Sequence, residues 1–415
     1  MSSLNQTDPE VSNILEKEIK RQKETINLIA SENYASRAIR EVQASVFANK
    51  YAEGYPCARY YGGCKNIDIL ESLTVERANQ LFHSEYANVQ SHSGSQANMA
   101  VYFALLNQGD TVLGMDLAQG GHLTHGAHAN FSGHLFNFIP YGVNRETERI
   151  DYDRLEKLAV QHQPRMIVAG ASSYPRIIDF ERFRHICDLV GAKLFVDMAH
   201  ITGLVAAGVH PSPVPYSDLV SGTTHKTLRG PRAGFIVGKK EYAARVDSAV
   251  FPRTQGGPLM HIIAAKAVCF HEALQPEFVK YSQSIVDNAE VLASELAKAG
   301  LRLVSGGTDN HIVLVDLRPT GVTGWDAQQA LETSGIVANR NVIPFDTQPP
   351  RVAGGIRFGT PAATTRGMGK EEMETIAGWI AKVISHIGDE RLQKQVSEEV
   401  SQMCTRFPIP GMEGG

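Results

Sequence analysis

Five cysteines in 415 residues, at 57, 64, 187, 269 and 404, are too few, too scattered and odd in number to build a disulfide framework. No two of them have the Cys-x-x-Cys spacing of a zinc site. No apolar run approaches the ~20 residues that span a bilayer. The longest, such as 166–171, are sized for buried strands, so no membrane partner is expected. The first ten residues, Met-Ser-Ser-Leu-Asn-Gln-Thr-Asp-Pro-Glu, have neither the basic start nor the apolar run of a signal peptide, and a cytoplasmic protein is expected. An excess of one charge is also missing. Lys and Arg total 40 against 44 Asp and Glu, a net charge of −4, which removes the bulk attraction that coats nucleic acid. There is no GxGxxG after a strand, no P-loop and no HExxH. His122-Leu-Thr-His125 has an HxxH spacing without a clustered third ligand, so no metal is expected there.

What is present is an ordinary globular balance, with 43% hydrophobic and 20% charged residues and a length suited to two or three domains. The 37 glycines suggest tight turns and close backbone approach to a ligand. An amphipathic helix is expected over 8–26 and a mildly helical stretch over 36–50. Next comes Tyr51-Ala-Glu-Gly-Tyr-Pro-Cys-Ala-Arg-Tyr-Tyr-Gly-Gly63, whose tyrosines and glycines fit neither helix nor strand. From 67 onward helices (67–82, 95–107, 153–161, 180–190) alternate with short apolar strands (111–115, 135–140, 165–171, 193–196, 219–221, 233–237). That alternation is the mark of a mostly parallel sheet covered on both faces. Helices at 258–274 and 282–298 follow. A strand at 311–317, a helix at 325–333, a strand at 352–358 and helices at 371–386 and 390–403 complete a different pattern. The division expected is an N-terminal arm and active-site loop over 1–63, a large α/β domain over 64–279 and a small α+β domain over 280–415, ending in a loose tail at 411–415.

The most informative stretch is Ser221-Gly-Thr-Thr-His-Lys-Thr-Leu-Arg-Gly-Pro-Arg232. Lys226 follows an apolar strand among Thr223, Thr224, Thr227 and His225, donors that suit an amine held near a phosphate and a carbonyl. Lysine is the side chain that forms Schiff bases, and pyridoxal phosphate enzymes use one in this way. The pyridine nitrogen of that cofactor needs a carboxylate. Asp197 ends the strand Leu194-Phe-Val-Asp, at the carboxyl edge where sheet ligands bind. Ser93-Gly94-Ser95 opens a helix, a donor-rich start for a dianion, although an ordinary serine cap would read the same. Gly121-His122 adds an imidazole beside a glycine, able to stack on a flat ring.

At these residues the chain resembles the serine hydroxymethyltransferase family. The matching pieces run from Leu28-Ile-Ala-Ser-Glu-Asn33 through Tyr51-Ala-Glu-Gly-Tyr55, Arg59-Tyr-Tyr-Gly-Gly63, His92-Ser-Gly-Ser-Gln-Ala-Asn98, Val196-Asp-Met-Ala-His200, Thr224-His-Lys-Thr227 and Gln255-Gly-Gly-Pro-Leu-Met-His261 to Arg357-Phe-Gly-Thr-Pro361. The resemblance implies pyridoxal phosphate fold type I, the aspartate aminotransferase-like fold, with a mostly parallel seven-stranded sheet and a small C-terminal α+β domain. It implies pyridoxal 5'-phosphate as cofactor, tetrahydrofolate as co-substrate, and transfer of the hydroxymethyl carbon of serine to leave glycine. It also implies a homodimer or tetramer with active sites shared between subunits.

By position, Lys226 resembles the Schiff-base lysine, Asp197 the partner of the pyridine nitrogen and His122 the ring-stacking histidine. Ser172, His200 and Thr223 match cofactor-orienting positions. Ser93, Gly94, Ser95 and His225 match the phosphate site, with Gly256 and Gly257 supplied by the neighbouring subunit. Arg357 resembles the clamp for the amino acid carboxylate, helped by Ser31 and Tyr61; independently, a guanidinium offers a carboxylate a planar fork. Glu53 is similar to the proton-transfer glutamate near the substrate hydroxyl and the folate. Tyr51 and Tyr60 match site-lining positions from the partner subunit, and Leu117 and Asn341 match folate contacts. The chain departs from the family's usual pattern at Ser91 (usually Pro), Gln119 (His), Arg253 (Gly), Gly354 (Ser), Cys57 (Gly) and Arg340 (Lys). These changes keep a second substrate in view, α-methylserine giving D-alanine, with Gly354 making room for a methyl. A folate-independent aldolase on the same scaffold is a third reading.

Overall fold

A computed structural model describes residues 3–412, so positions 413–415 of the expected tail lie outside the described residues. Seven strands form the central sheet, in the spatial order Tyr86–Asn88, Gly234–Gly238, Leu219–Thr223, Lys193–Asp197, Met166–Ala169, Thr111–Met115 and Asn137–Tyr141. The pairs from Leu219–Thr223 to Asn137–Tyr141 are parallel. Gly234–Gly238 runs antiparallel to both neighbours, which makes the sheet mixed with one reversed strand.

Alternate residues of each strand serve opposite faces, as the pleat requires. Leu113, Ile167, Val196, Val220 and Phe235 pack into one core with the helices Lys65–Phe82, Phe180–Val190 and Met260–Ala273. Their neighbours Val112, Met166, Val168, Phe195 and Ile236 pack into another, under the helix Gly94–Leu105. Coverage on both faces is why these strands read as continuous apolar runs. Tyr86–Asn88 escaped the sequence reading because it is three residues long and ends in asparagine. The strand expected at 135–140 sits at Asn137–Tyr141, because Phe131–Leu135 closes a short helical turn first. The helical stretch expected over 36–50 is a helix only over Arg37–Gln43, followed by a 3-10 turn at Val46–Asn49.

The C-terminal unit holds a four-stranded antiparallel sheet, ordered Arg302–Leu303, Ile312–Asp316, Gly355–Gly359 and Asn339–Asn341. Helices Gly324–Thr333, Lys370–Ser385 and Glu390–Arg406 share its core. Ile26 and Leu28 lie in that core too, and Ile26–Asn27 pairs in parallel with Ile336–Val337. Helix Pro276–Lys298 links the two units, with Phe278 and Ile285 in the large core and Leu292 and Leu296 in the small one. It begins six residues before the expected 282, at a proline that suits the first helical turn.

Candidate active site

The parallel register brings the ends of Met166–Ala169, Lys193–Asp197 and Leu219–Thr223 to one edge of the sheet. The following turns carry Ser172, His200 and Lys226 around a cavity of about 370 Å³. Ser93, Gly94 and Ser95 enter it from the start of helix Gly94–Leu105, and Ser31, His122, Thr223, His225 and Arg357 complete the wall with Asp197. Twelve of the expected site residues therefore meet at one place.

Asp197 is fixed from several sides. Its Oδ2 accepts from Asn98 Nδ2 at 2.8 Å and from His125 Nε2 at 3.1 Å, and its Oδ1 from the Ala199 amide at 3.0 Å. The His122 amide donates to His125 Nδ1 at 3.2 Å, which leaves the His125 proton on Nε2, facing Asp197. Burial opposes the charged carboxylate, but the hydrogen bond from His125, with Asn98 behind, outweighs it and holds Asp197 well below the usual carboxylate range. His122 Nδ1 meets Thr124 Oγ1 at 2.8 Å, and burial pushes that ring down to about 4 despite the pull of Asp197. The ligand atoms of His122, His125 and Asp197 lie within 4.8 Å of one another, but the hydrogen bonds already direct the His125 lone pair to backbone and its proton to the carboxylate.

Lys226 Nζ donates to Thr223 Oγ1 at 3.0 Å, and Thr223 in turn donates to the Ala199 carbonyl at 3.0 Å. Burial lowers the Lys226 pKa to about 8, with Asp197 opposing and Arg232 and Arg357 adding to the fall. Burial likewise lowers Arg357 to about 10. The Arg357 guanidinium donates to the Ser172 carbonyl at 2.5 Å and to Asn339 Oδ1 at 3.2 Å, and among the described residues it makes no ion pair. His200 Nδ1 lies 3.4 Å from His311 Nε2 with the rings nearly parallel, and burial holds both imidazoles neutral.

The remaining expected residues stand elsewhere in the chain. Tyr51 donates to Glu53 Oε1 at 3.3 Å and packs edge-on to Tyr61 with ring centroids 5.1 Å apart. Gly256 and Gly257 face Glu53 and Tyr51. Tyr60 is 74% exposed beside Phe251. None of these six lines the Lys226 cavity. Leu117 is exposed, while Asn341 bonds Ser173 Oγ at 3.0 Å, one residue from the cavity wall. Sequence reasoning gave no role to His125, Arg232 or His311. The HxxH spacing did mark His125, but as half of a metal pair.

The family model for serine hydroxymethyltransferase matches residues 4–380. Three relatives, each described as serine hydroxymethyltransferase and each from a strain of Dehalococcoides mccartyi, are 61% identical over 414 residues, covering 100% of this chain and 100% of the relative. The chain belongs to the serine hydroxymethyltransferase family. Its large mixed sheet and smaller C-terminal unit are the fold type I architecture of that family.

The residues present fit pyridoxal phosphate. The amides of Gly94 and Ser95 sit in the first helical turn, where no intrahelical acceptor reaches them. A Cβ at Gly94 would stand 2.7 Å from Thr223 Cγ2, so only glycine keeps that approach open. His225 Nδ1, on the same cavity wall, is buried without a hydrogen-bond partner among the described residues. The departures from the family's pattern also find physical places. Gln119 turns its Oε1 to the Val143 amide at 2.8 Å. Arg253 donates to the Phe103 carbonyl at 2.7 Å, and Arg340 lies 4.7 Å over the Trp325 ring. Gly354 donates its amide to Asp346 at 2.7 Å, and a Cβ there would point at the Asp346 carboxylate, 2.6 Å from Oδ1. It does not line the cavity.

Proposed function

We propose that the protein carries the hydroxymethyl carbon of serine to tetrahydrofolate with pyridoxal phosphate as cofactor, giving glycine and 5,10-methylenetetrahydrofolate. One observation carries the reading. A single cavity holds an amine at Lys226 with its pKa drawn down to about 8, a carboxylate at Asp197 locked in its charged form, and a buried guanidinium at Arg357 without an ion-pair partner among the described residues. Each answers one need: a carbonyl, a ring nitrogen and a substrate carboxylate.

Bound at this site, pyridoxal phosphate supplies an electron-withdrawing ring that stabilises negative charge at the substrate Cα. The chain's own residues do the rest. Lys226 would hold the cofactor's carbonyl carbon, and its depressed pKa keeps a fraction of neutral amine at physiological pH. Asp197 keeps a proton on the pyridine nitrogen, with His125 and Asn98 keeping Asp197 ionised. His122 would cover a ring face, and Ser172, His200 and Thr223 would orient the ring. Ser93, Gly94, Ser95 and His225 hold the phosphate. Arg357 and Ser31 take the amino acid carboxylate.

The Tyr51, Glu53, Tyr60, Tyr61, Gly256 and Gly257 cluster stands apart from its own chain's cavity, which favours a homodimer in which it completes the partner's site. There Glu53 moves a proton at the substrate hydroxyl, Tyr61 assists the carboxylate clamp, and Leu117 and Asn341 receive the folate. The direction of Gly354 toward Asp346, neither of which lines the cavity, favours serine over α-methylserine. Steady-state assays with each amino acid, with and without tetrahydrofolate, test the reading. The expected result is glycine formation that needs tetrahydrofolate, with kcat/KM for serine ahead by tenfold or more, about 1.4 kcal/mol. D-Alanine formed from α-methylserine at equal efficiency, or aldehyde release indifferent to folate, would overturn it.

A further inference from the structure

Helix Met260–Ala273 carries Lys266, which is 1% exposed and lies beneath the segment that leads into Ser93-Gly94-Ser95. Its Nζ donates to three backbone carbonyls: Val89 at 2.6 Å, Ser91 at 3.0 Å and Gly234 at 2.6 Å. An ammonium has three protons, and all three are used. Burial pushes its pKa down to about 7, and Glu71, itself bonded to Arg59 and Gln90, pulls it back up. A second side chain grips the same segment: Gln255 Oε1 accepts from the His92 amide at 3.1 Å, and its Nε2 donates to the Gln90 carbonyl at 2.8 Å. Gly234, the third carbonyl, is pressed against the loop itself, since a Cβ there would stand 2.9 Å from the Gly94 nitrogen. An apolar side chain of this length would fill the space without burying a charge. What the ammonium adds is the placement of backbone.

We propose that Lys266 is a positioning residue for the cofactor's phosphate, fixing the Gly94 and Ser95 amides through residues 89–92 and Gly234. The inference rests on the reading of this cavity as the pyridoxal phosphate site. It is tested on full-length protein stripped of cofactor, by calorimetric titration with pyridoxal phosphate and, separately, with pyridoxal, which lacks the phosphate. Lys266→Met is expected to weaken pyridoxal phosphate tenfold or more and pyridoxal by less than twofold. Equal weakening of both, as from general loosening, or no change in either, would overturn the proposal. Should Lys266→Met fail to fold, Lys266→Gln, whose amide has two protons for the three carbonyls, is expected to show the same phosphate-selective loss. An unchanged ratio of the two affinities in that variant overturns it equally. Wild-type protein that binds neither compound would sink the functional reading and this inference with it; wild-type binding with an unchanged ratio in the variants sinks this inference alone.

Discussion

Replacing Lys226 by methionine should make the cofactor-free protein more stable while abolishing its chemistry. The reasoning is electrostatic. Burial lowers the amine from 10.5 to about 8, a penalty on the charged form of about 3 kcal/mol. The sign follows from proton counting. Below pH 8 the amine is protonated in both the folded and unfolded chain, and the full penalty is present. Between pH 8 and about 10.5 the unfolded chain holds the proton and the folded one does not, so wild-type stability rises with pH. Above that range both forms are neutral and the penalty is gone. Methionine fills a similar volume without charge, but it gives up the 3.0 Å hydrogen bond to Thr223, worth about 1 kcal/mol. The net gain expected at pH 7 is about 2 kcal/mol, shrinking toward zero or below near pH 10. Urea unfolding of both proteins, stripped of cofactor, at pH 7 and pH 10 measures it. A variant no more stable than wild type at pH 7, or an advantage that persists undiminished at pH 10, would refute the argument.

Asp197→Asn removes the charge that three donors organise, so turnover should fall by about 100-fold or more while the cofactor's visible band remains; near-normal turnover would contradict the role. Arg357→Lys replaces a planar fork by a point charge, and the serine KM should rise about tenfold or more with cofactor affinity unchanged, as read by titration of each. Cys57 sits at φ 65° after Pro56 in the hairpin joining Gly54–Tyr55 to Ala58–Arg59, a turn position that favours glycine. Cys57→Gly should therefore raise stability by about 0.5–1 kcal/mol in thermal unfolding, and a lowered midpoint would show that the Cys57 side chain matters more than its backbone.

How much of the fold was legible depended on how each element hides from water. Strands buried on both faces, such as Met166–Ala169 and Gly234–Gly238, announce themselves by apolar runs. Helix Phe180–Val190 was read to its last residue, because an aspartate cap and a terminal glycine bound an amphipathic pattern. Tyr86–Asn88 gave no such signal, since its place in the sheet comes from pairing with Gly234–Gly238 rather than from its own composition. Ile26–Asn27 was invisible for the same reason: its partner lies some 300 residues away, at Ile336–Val337. The reversed strand was also out of reach, because direction is set by the loop that carries Lys226 and not by the strand's residues.

The site divides along similar lines. Lys226, Asp197 and the Ser93-Gly94-Ser95 turn, which the structure brings to one cavity, stood out in the sequence because the chemistry expected of them needs a particular side chain at the end of a strand or the start of a helix. His125 and Lys266 act one step behind, through a carboxylate and through carbonyls, and no local pattern distinguishes such a residue from an ordinary buried one. Gly354 is a converse case. Three positions from Arg357 in sequence, it looked like room for a larger substrate. In the fold the glycine's missing side chain points to Asp346, whose carboxylate takes the Gly354 amide and, at 2.9 Å, the Gln348 amide. Arg357 lies within the strand Gly355–Gly359, where side chains alternate between faces, and its guanidinium reaches the Ser172 carbonyl at the cavity wall. Closeness in sequence to a clamp therefore says little about closeness to what the clamp holds. A serine at 354 would press on the Asp346 carboxylate, so its absence is explained by that loop's hydrogen bonds before any substrate is invoked.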